Sequence, residues 1–243
     1  MKQTNQKKSR KIFFFVIECM AAVMVLVGAL IVIYPFISSY MMQKEDNRQI
    51  AQFEQGAGVG DDALYPGLYK ALKEYNETIY AQGQPGLSVE SEYASFAVDV
   101  APYHLPRNMI GYIEIPTIKL KMPVYLGASE TNMENGATVL GGSSAPIGGT
   151  NTNCVIPAHN NWKGASRFQK TEKLKVGDKI YLHNPWETLT YAVTSSKVIN
   201  ESDIQAVRIE EGKDKITLST CYPFYAWHPS TRFLVYGERV VEE

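Results

Sequence analysis

Apolar residues are concentrated near the N-terminus, in one stretch long enough to cross a lipid bilayer. Residues 12–37 contain a single charged side chain, Glu18, and they follow a segment, residues 1–11, in which five residues are basic. A helix of about 26 residues is roughly 39 Å long, which exceeds the ~30 Å hydrocarbon core of a membrane. The pattern predicts a transmembrane anchor at residues 12–37, with residues 1–11 in the cytoplasm and the remainder outside the cell.

A cleaved signal peptide is the alternative interpretation of this stretch. The apolar region of a signal peptide usually has only about 7–15 residues and ends at a small-residue cleavage site. The stretch here is longer, and Ile37-Ser38-Ser39 is a weak cleavage site. We therefore expect a retained, single-pass anchor in the plasma membrane.

Two segments separate the expected anchor from the rest of the chain. Residues 38–62 are mainly polar and contain three glycines near their end, which is typical of an extracellular tether. Met41, Ile50 and Phe53 could instead continue the anchor as a short amphipathic helix. Residues 63–106 form an N-terminal helical, lid-like region. Its first half predicts an amphipathic helix, because apolar residues recur at helical spacing at Leu64, Leu68, Leu72, Tyr75 and Ile79.

From residue 107 to residue 243 the pattern changes to short β-rich segments separated by turn residues. No helices alternate with these segments, which argues against a doubly wound α/β sheet. We predict an all-β domain, a barrel or sandwich with one helix packed ahead of it. The predicted strands are 110–115, 120–126, 153–158, 179–182, 188–198, 215–221 and 232–241.

Composition narrows the function classes. Lysine and arginine number 24 against 25 aspartate and glutamate, giving a net charge of −1, whereas a nucleic-acid-binding protein normally carries a basic excess. We therefore expect no nucleic-acid partner. Three cysteines are too few for a disulfide scaffold.

One cysteine lies in a setting that suits nucleophilic chemistry. Alternation along residues 215–221 puts Cys221 on the strand face opposite Ile216. If the strand that begins at Arg232 pairs antiparallel with it, Cys221 and Arg232 are opposite or diagonal neighbours. A thiol beside a guanidinium at an accessible strand end is favoured as a thiolate, the nucleophilic form.

A thiol nucleophile also needs a proton-transfer partner, and the chain has four histidines. His159 follows a buried strand at a rim, and His228 lies in the loop directly after Cys221. His104 and His183 lie outside any such pattern. The residues alone leave His159 and His228 as equal candidates.

Several motifs together resemble those of sortases, the membrane-anchored cysteine transpeptidases of Gram-positive cell surfaces. Thr217-Leu-Ser-Thr-Cys221 resembles the family's TLxTC signature, and Arg232-Phe-Leu-Val resembles the start of the strand after it. Val155-Ile-Pro-Ala-His159 is similar to the strand that leads to the family's catalytic histidine. Further similarity in the family's order lies at 111–116 and 123–130. The resemblance covers about residues 110–241 and implies the eight-stranded sortase β-barrel.

The resemblance also implies a reaction and its residues. Cys221, His159 and Arg232 correspond to the catalytic residues, and Thr220 and His228 are expected to bind substrate; no metal or cofactor is implied. The expected substrate is an LPxTG-like sorting signal on a surface protein or pilin, cleaved between Thr and Gly through a thioester. The amine that accepts the acyl group is a pilin lysine or a peptidoglycan precursor, and membrane lipid surrounds the anchor.

The subclass is left open between two types. The segment from Gly111 to Cys154 resembles the pilin-polymerising class C enzymes, whereas Cys221-Tyr-Pro-Phe is closer to class D. Class C members usually carry an Asp-Pro-aromatic lid before the barrel, and residues 86–106 contain no such motif. We therefore expect an open cleft over Cys221.

Two interpretations from other classes are weighed against the enzyme. A metal site could use Cys154, His159, Cys221 and His228, but these spacings fit no common zinc pattern. A non-catalytic, membrane-tethered β-barrel binding module could instead join Cys154 and Cys221 in a disulfide outside the cell.

Overall fold

In the described part of the chain, two α-helices precede the β-sheet, and a third, short helix lies between two of its strands. The computed structural model describes residues 2–56, 65–87, 96–162, 165–223 and 229–240. Helix α1 spans Lys2–Gly56, α2 spans Leu68–Ala81 and the short α3 spans Glu130–Asn135. Helix α2 confirms the predicted amphipathic helix, because its apolar stripe is buried against the sheet.

Eight strands form a nearly closed barrel, as the family resemblance implies. Their order is β3-β2-β1-β7-β8-β10-β9-β4, and the backbone N–H of Leu140 donates to the Val155 carbonyl at 2.9 Å between the two outer strands. A separate hairpin pairs β5 with β6. The strands are β1 Met109–Ile115, β2 Leu120–Leu126, β3 Ala137–Val139, β4 Thr152–Pro157, β5 Asn161–Trp162, β6 Ala165–Ser166, β7 Lys179–His183, β8 Thr188–Asn200, β9 Asp214–Tyr222 and β10 Thr231–Arg239.

The barrel interior is filled by apolar side chains at alternate strand positions. Ile113 and Ile115 on β1 and Ile216 and Leu218 on β9 are almost completely buried there. Removing such side chains from water supplies most of the free energy that favours this fold. The interior face of each strand is thereby fixed, and the opposite face is available for a site.

Three short elements within the barrel are absent from the sequence prediction. Strand β3 has three residues, α3 has six, and the β5–β6 hairpin has two on each side. Segments of this length carry less than two periods of any hydrophobic pattern, so they depend on neighbours for their conformation. Strand β3, for example, is held by parallel pairing with β2.

Helix α1 continues without a break to Gly56, so residues 38–56 are helical and do not form the expected tether. The alternative indicated by Met41, Ile50 and Phe53, a helical continuation of the anchor, is the one observed. Residues 57–62 of the expected tether lie outside the described residues. The helix persists because a stripe of its side chains packs against the barrel, with Ile50 and Phe53 contacting Met109, Tyr112 and Tyr125 on β1 and β2. Tyr112 also donates a hydrogen bond to Glu54 at 2.8 Å.

A buried ion pair fastens the same stretch of α1 to the barrel. Arg167 Nη1 lies 2.5 Å from Asp46 Oδ2, and both side chains are more than nine-tenths buried. Arg167 Nη2 also donates to the carbonyls of Glu134 and Asn135 at 3.5 and 3.4 Å. Desolvation raises the pKa of Asp46 to about 6, and the neighbouring Arg167 opposes that shift. Each of the two buried charges therefore depends on the other for its stabilisation.

Removing one half of this pair should be costly. We expect Arg167→Met to lower the free energy of unfolding by about 3–5 kcal/mol at pH 7.5, because it leaves the Asp46 carboxylate buried without a cation. Urea titration of the full chain in detergent measures this. The double variant Asp46→Leu/Arg167→Met is the control and should lose much less.

The loss of unfolding free energy in Arg167→Met should also depend on pH. The folded-state pKa of Asp46 is raised above its ordinary value of 3.8, so protons bind the folded state more tightly than the unfolded state. Loss of Arg167 removes the charge that opposes this shift, so the stability of this variant should rise as the pH falls from 7.5 toward 4, whereas the double variant should lack that component. A deficit that is independent of pH would contradict this account.

Candidate active site

The registers of three strands bring the residues singled out in the sequence to one rim of the barrel. Strands β9 and β10 are antiparallel, and Cys221 is paired directly with Arg232. Strand β4 lies parallel to β9 on its other side, and the backbone N–H of Ala158 donates to the Ser219 carbonyl at 3.0 Å. His159 is the next residue after Ala158, so it lies at the same rim as Cys221.

Hydrogen bonds hold the loop that carries His159. Asn160 Nδ2 donates to the Cys221 carbonyl at 3.4 Å, which joins this loop to the end of β9. The His159 carbonyl accepts from the backbone N–H of Phe168 at 2.9 Å, and the Asn160 carbonyl accepts from that of Arg167 at 3.1 Å. Phe168 is fully buried in the core. The backbone beside His159 is therefore fixed to both the core and the strand that carries Cys221.

Cys221 lies on the outer face of β9, as the alternation predicts. Ile216 and Leu218 point into the barrel core, whereas Cys221 is partly exposed at the end of the strand. The thiol is thus accessible to a molecule that approaches along the outer face.

Arg232 is held by several acceptors, among them the Thr231 carbonyl at 3.3 Å from Nη1. Its Nη2 lies 2.9 Å from Glu201 Oε2, and its Nη1 donates to the Pro229 carbonyl at 2.8 Å. The Arg232 side chain is 12% exposed and that of Glu201 is 40% exposed. The guanidinium is therefore positioned at the rim by groups on both sides of it.

Glu201 is a residue that sequence reasoning missed. It lies 31 positions before Arg232, directly after β8, and no local motif marks it. The pairing of β8 with β10, in which Ile199 is opposite Arg232, brings the two charges together. Only a prediction that β8 pairs with β10 would have identified Glu201 from the sequence.

An apolar groove runs along the outer face and reaches this rim. Its floor comes from four adjacent strands, and one wall comes from the connection between β8 and β9. We call it the apolar groove; its lining includes Val155, Pro157, Ile199, Ile204, Val207, Ser219, Arg232 and Leu234, together with Leu87 and Leu140. Arg232 is common to the groove and to the pair with Cys221, so the groove leads to the thiol.

The two expected substrate-binding residues have different outcomes. The Thr220 side chain shares the interior face of β9 with Leu218 and is only 3% exposed, and its hydroxyl has no hydrogen-bond partner among the described residues. The expected role of Thr220 in substrate binding therefore stays a prediction. His228 lies outside the described residues.

The expected Cys154–Cys221 disulfide of the binding-module alternative is wrong. All three cysteines are free, and Cys154 lies within β4 opposite Ile216. Ile216 precedes Cys221 by five residues, or about 16 Å of strand, whereas a disulfide needs Cα atoms within about 7 Å. Desolvation in the core raises the pKa of the Cys154 thiol, so Cys154 remains a neutral core residue at physiological pH.

The same separation bears on the metal alternative. Cys154 is too far along the ladder to share an ion with Cys221. Across the described ranges, no group of three or more histidine, cysteine, aspartate or glutamate side chains is arranged to hold a metal ion.

Comparison with a family model gives a match over half of the chain. The model of the Sortase domain matches residues 113–240, which begin in β1 and end just beyond β10. The match includes Cys221, His159 and Arg232.

Individual relatives and a solved structure agree with this match. Sortase A of Bacillus anthracis is 27% identical over 224 residues, covering 90% of this chain and 92% of the relative. Sortase D of Bacillus subtilis is 28% identical over 131 residues, covering 54% of this chain but only 63% of that relative. The structure of sortase C1 of GBS pilus island 1 superimposes with a TM-score of 0.71 at 29% identity, covering 82% of this chain and 93% of the other.

Proposed function

The chain belongs to the sortase family of cysteine transpeptidases, and from this premise we propose that it cleaves an LPxTG-like sorting signal and joins it to an amine. The observation that carries the proposal is the pairing of Cys221 with Arg232 at the end of the apolar groove. A nucleophile, a fixed cation and a binding surface for an extended peptide are thereby adjacent.

The first half of the reaction forms a thioester. The Cys221 thiolate attacks the threonine carbonyl of the sorting signal, and the carbon–nitrogen bond to glycine breaks as the carbon–sulfur bond is completed. His159 donates the proton that the departing glycine amine requires. The C-terminal part of the signal leaves as a free amine.

The second half transfers the acyl group. His159, now neutral, removes a proton from the incoming amine, which attacks the thioester carbonyl. A new amide bond forms, and Cys221 leaves as the thiolate. The enzyme returns to its starting protonation state without any cofactor in this sequence of steps.

Arg232 is proposed to orient the peptide and to stabilise the oxyanion that develops in both halves. A guanidinium has five N–H donors in one plane, so it can donate to an oxyanion while other donors hold it in place. Glu201 and the Pro229 carbonyl supply that support. The apolar groove suits the leucine and proline at the start of the sorting signal, because its lining is mainly aliphatic.

Location follows from helix α1. Side chains from Phe13 to Tyr34 are exposed in the described structure, and the helix is long and apolar enough to cross a membrane. We assign it as a single-pass anchor in the plasma membrane of a Gram-positive cell, with the barrel outside. The exposed apolar surface is then covered by lipid.

A pilin lysine is the first candidate for the accepting amine. Similarity to the sortase C1 of a streptococcal pilus island supports it, since that protein's name links it to pilus assembly. A peptidoglycan-precursor amine is the second candidate, favoured by the class D-like sequence that follows Cys221. Both amines are available on the outer face of the membrane.

A competition experiment tests the function and the acceptor together. The full chain in detergent is given an LPxTG-like peptide with equal amounts of a pilin lysine peptide and a cell-wall cross-bridge peptide. Mass spectrometry should detect an acyl adduct on Cys221 and one dominant ligated product. Absence of both cleavage and adduct would contradict the proposed function, and dominant ligation to the cross-bridge peptide would contradict the pilin acceptor.

Arg232 can be tested with a matched arginine on the same strand. We expect Arg232→Lys to lower kcat roughly 100-fold, because an ammonium cannot hold Glu201 and donate to the oxyanion in one plane. Arg239→Lys is the control, since Arg239 lies at the other end of β10 and is paired with Glu187 at 3.4 Å. Peptide cleavage rates compare the two; an equal loss in both variants would argue against the role of Arg232.

A further inference from the structure

A pocket rich in positive charge lies where α1 meets the barrel, away from the apolar groove. One side is formed by α1, and the other is formed by the loop and strand around the start of β2 together with the segment after β6. We call it the basic pocket; its lining consists of Ser39, Met42, Gln43, Asp46, Lys119, Leu120, Lys121, Arg167 and Lys170.

The charges in the basic pocket are unbalanced. Asp46 is its one carboxylate, and Arg167 already pairs with it. Lys121 Nζ lies 3.3 Å from Glu54 Oε1 and 4.5 Å from the centroid of the Tyr112 ring, so the charge of Lys121 is partly compensated. Lys119 and Lys170 are exposed and have no ion pair among the described residues. The pocket therefore presents an excess of ammonium groups.

The position of the pocket along α1 sets its height above the membrane. Pro35 and Ser38 are already partly buried, so the protein surface against α1 begins at the last apolar turn. Ser39 lies about 3 Å and Asp46 about 14 Å beyond Ile37 along the helix axis. The headgroup layer is roughly 5–8 Å thick on each side of the hydrocarbon core. The lower part of the basic pocket thus lies at headgroup level.

We propose that the basic pocket binds the phosphate of an anionic phospholipid headgroup in the outer leaflet. Lys119 and Lys170 donate to the phosphate oxygens, and Ser39 and Gln43 on α1 line the same opening, whereas the Lys121 ammonium is held higher up by Glu54. The inference rests on the proposed membrane anchor, because only an embedded α1 brings lipid to this height. It does not depend on the transpeptidase chemistry, which uses a different face of the barrel.

Lipid selectivity of the full chain tests the proposal. The protein is reconstituted into nanodiscs that contain equal amounts of phosphatidylglycerol and phosphatidylcholine, and native mass spectrometry counts the lipids that remain bound. We expect retained phosphatidylglycerol to exceed phosphatidylcholine. Each lysine near an anionic surface contributes about fivefold in affinity, so the double variant Lys119→Gln/Lys170→Gln should lose most of that preference.

A matched variant controls for net charge. Lys70 and Lys197 are exposed lysines outside the basic pocket, and their double replacement with glutamine changes the net charge equally. This variant should keep the preference for phosphatidylglycerol. Equal loss in both double variants, or no preference in the unmodified protein, would overturn the proposal. Thermal unfolding of each variant shows that the fold is retained.

Two further measurements test whether the basic pocket binds lipid or a soluble anion, and whether the chain enters a membrane at all. Inorganic phosphate added at matched ionic strength should displace little phosphatidylglycerol; full displacement would indicate a soluble-anion site and overturn the lipid assignment. A chain that stays soluble without detergent and does not enter nanodiscs would overturn the anchor. A chain that enters nanodiscs but binds both lipids equally would overturn only the basic pocket.

Discussion

Cys221→Ala is expected to abolish cleavage of an LPxTG-like peptide and to leave the melting temperature nearly unchanged. The thiol is the only group in the proposed mechanism that forms a bond to the substrate carbonyl, so no other side chain replaces it. It is partly exposed at the end of β9, and its removal therefore leaves no core cavity. The measurement is peptide turnover by chromatography, together with thermal unfolding of the same preparation.

Cys154→Ala provides the matched control for Cys221→Ala. Cys154 is 2% exposed within β4, and its truncation creates a small cavity that should cost about 1–2 kcal/mol. That corresponds to a fall of roughly 2–8 °C in melting temperature for a chain of this size. Turnover should persist. An inactive Cys154→Ala variant beside an active Cys221→Ala variant would reverse the two assignments.

His159→Ala is expected to lower kcat by two to four orders of magnitude, as is usual for loss of a general acid–base (about 10²- to 10⁴-fold). KM should change less, because the groove that binds the peptide is formed mainly by other residues. Steady-state kinetics with the sorting-signal peptide separates the two parameters. A thioester adduct on Cys221 that forms slowly but still forms would agree with this role.

Two other histidines sharpen the test of His159. His104 is exposed and has a left-handed φ of 52°, which asparagine tolerates, so His104→Asn should retain full activity. His228→Ala should mainly alter KM. If His228→Ala is instead the variant that loses kcat, the proton-transfer role belongs to His228.

The catalytic strands were predictable because their pattern is local. Alternation along residues 215–221 defines the two faces of β9, and the return strand begins 11 residues after Cys221, close enough for antiparallel pairing. The same alternation also places Thr220 on the interior face with Leu218. The expected role of Thr220 in substrate binding followed the family motif, whereas the strand pattern itself indicated a buried side chain.

Features that depend on distant residues were not predictable from the local sequence. The Arg232–Glu201 pair requires the register of β8 with β10, and the Asp46–Arg167 pair joins residues 121 positions apart. After residue 38 the apolar stripe of Met41, Ile50 and Phe53 indicated a possible continuation of α1, but the many charged residues between them left a tether as the main expectation. Only the complementary surface of β1 and β2 makes that stripe a packing face.

The unbroken helix α1 has a consequence for how enzyme and substrate meet. A flexible linker would let the barrel take many positions relative to the proposed anchor. A helix docked on the barrel through Asp46, Ile50 and Phe53 instead holds Cys221 at one distance from it. If α1 is the membrane anchor proposed above, a membrane-embedded substrate must present its sorting signal at the height of Cys221 above the bilayer. Enzyme and substrate then meet by lateral diffusion in the plane of the membrane. The length of chain between a substrate's own anchor and its sorting signal decides which substrates reach Cys221.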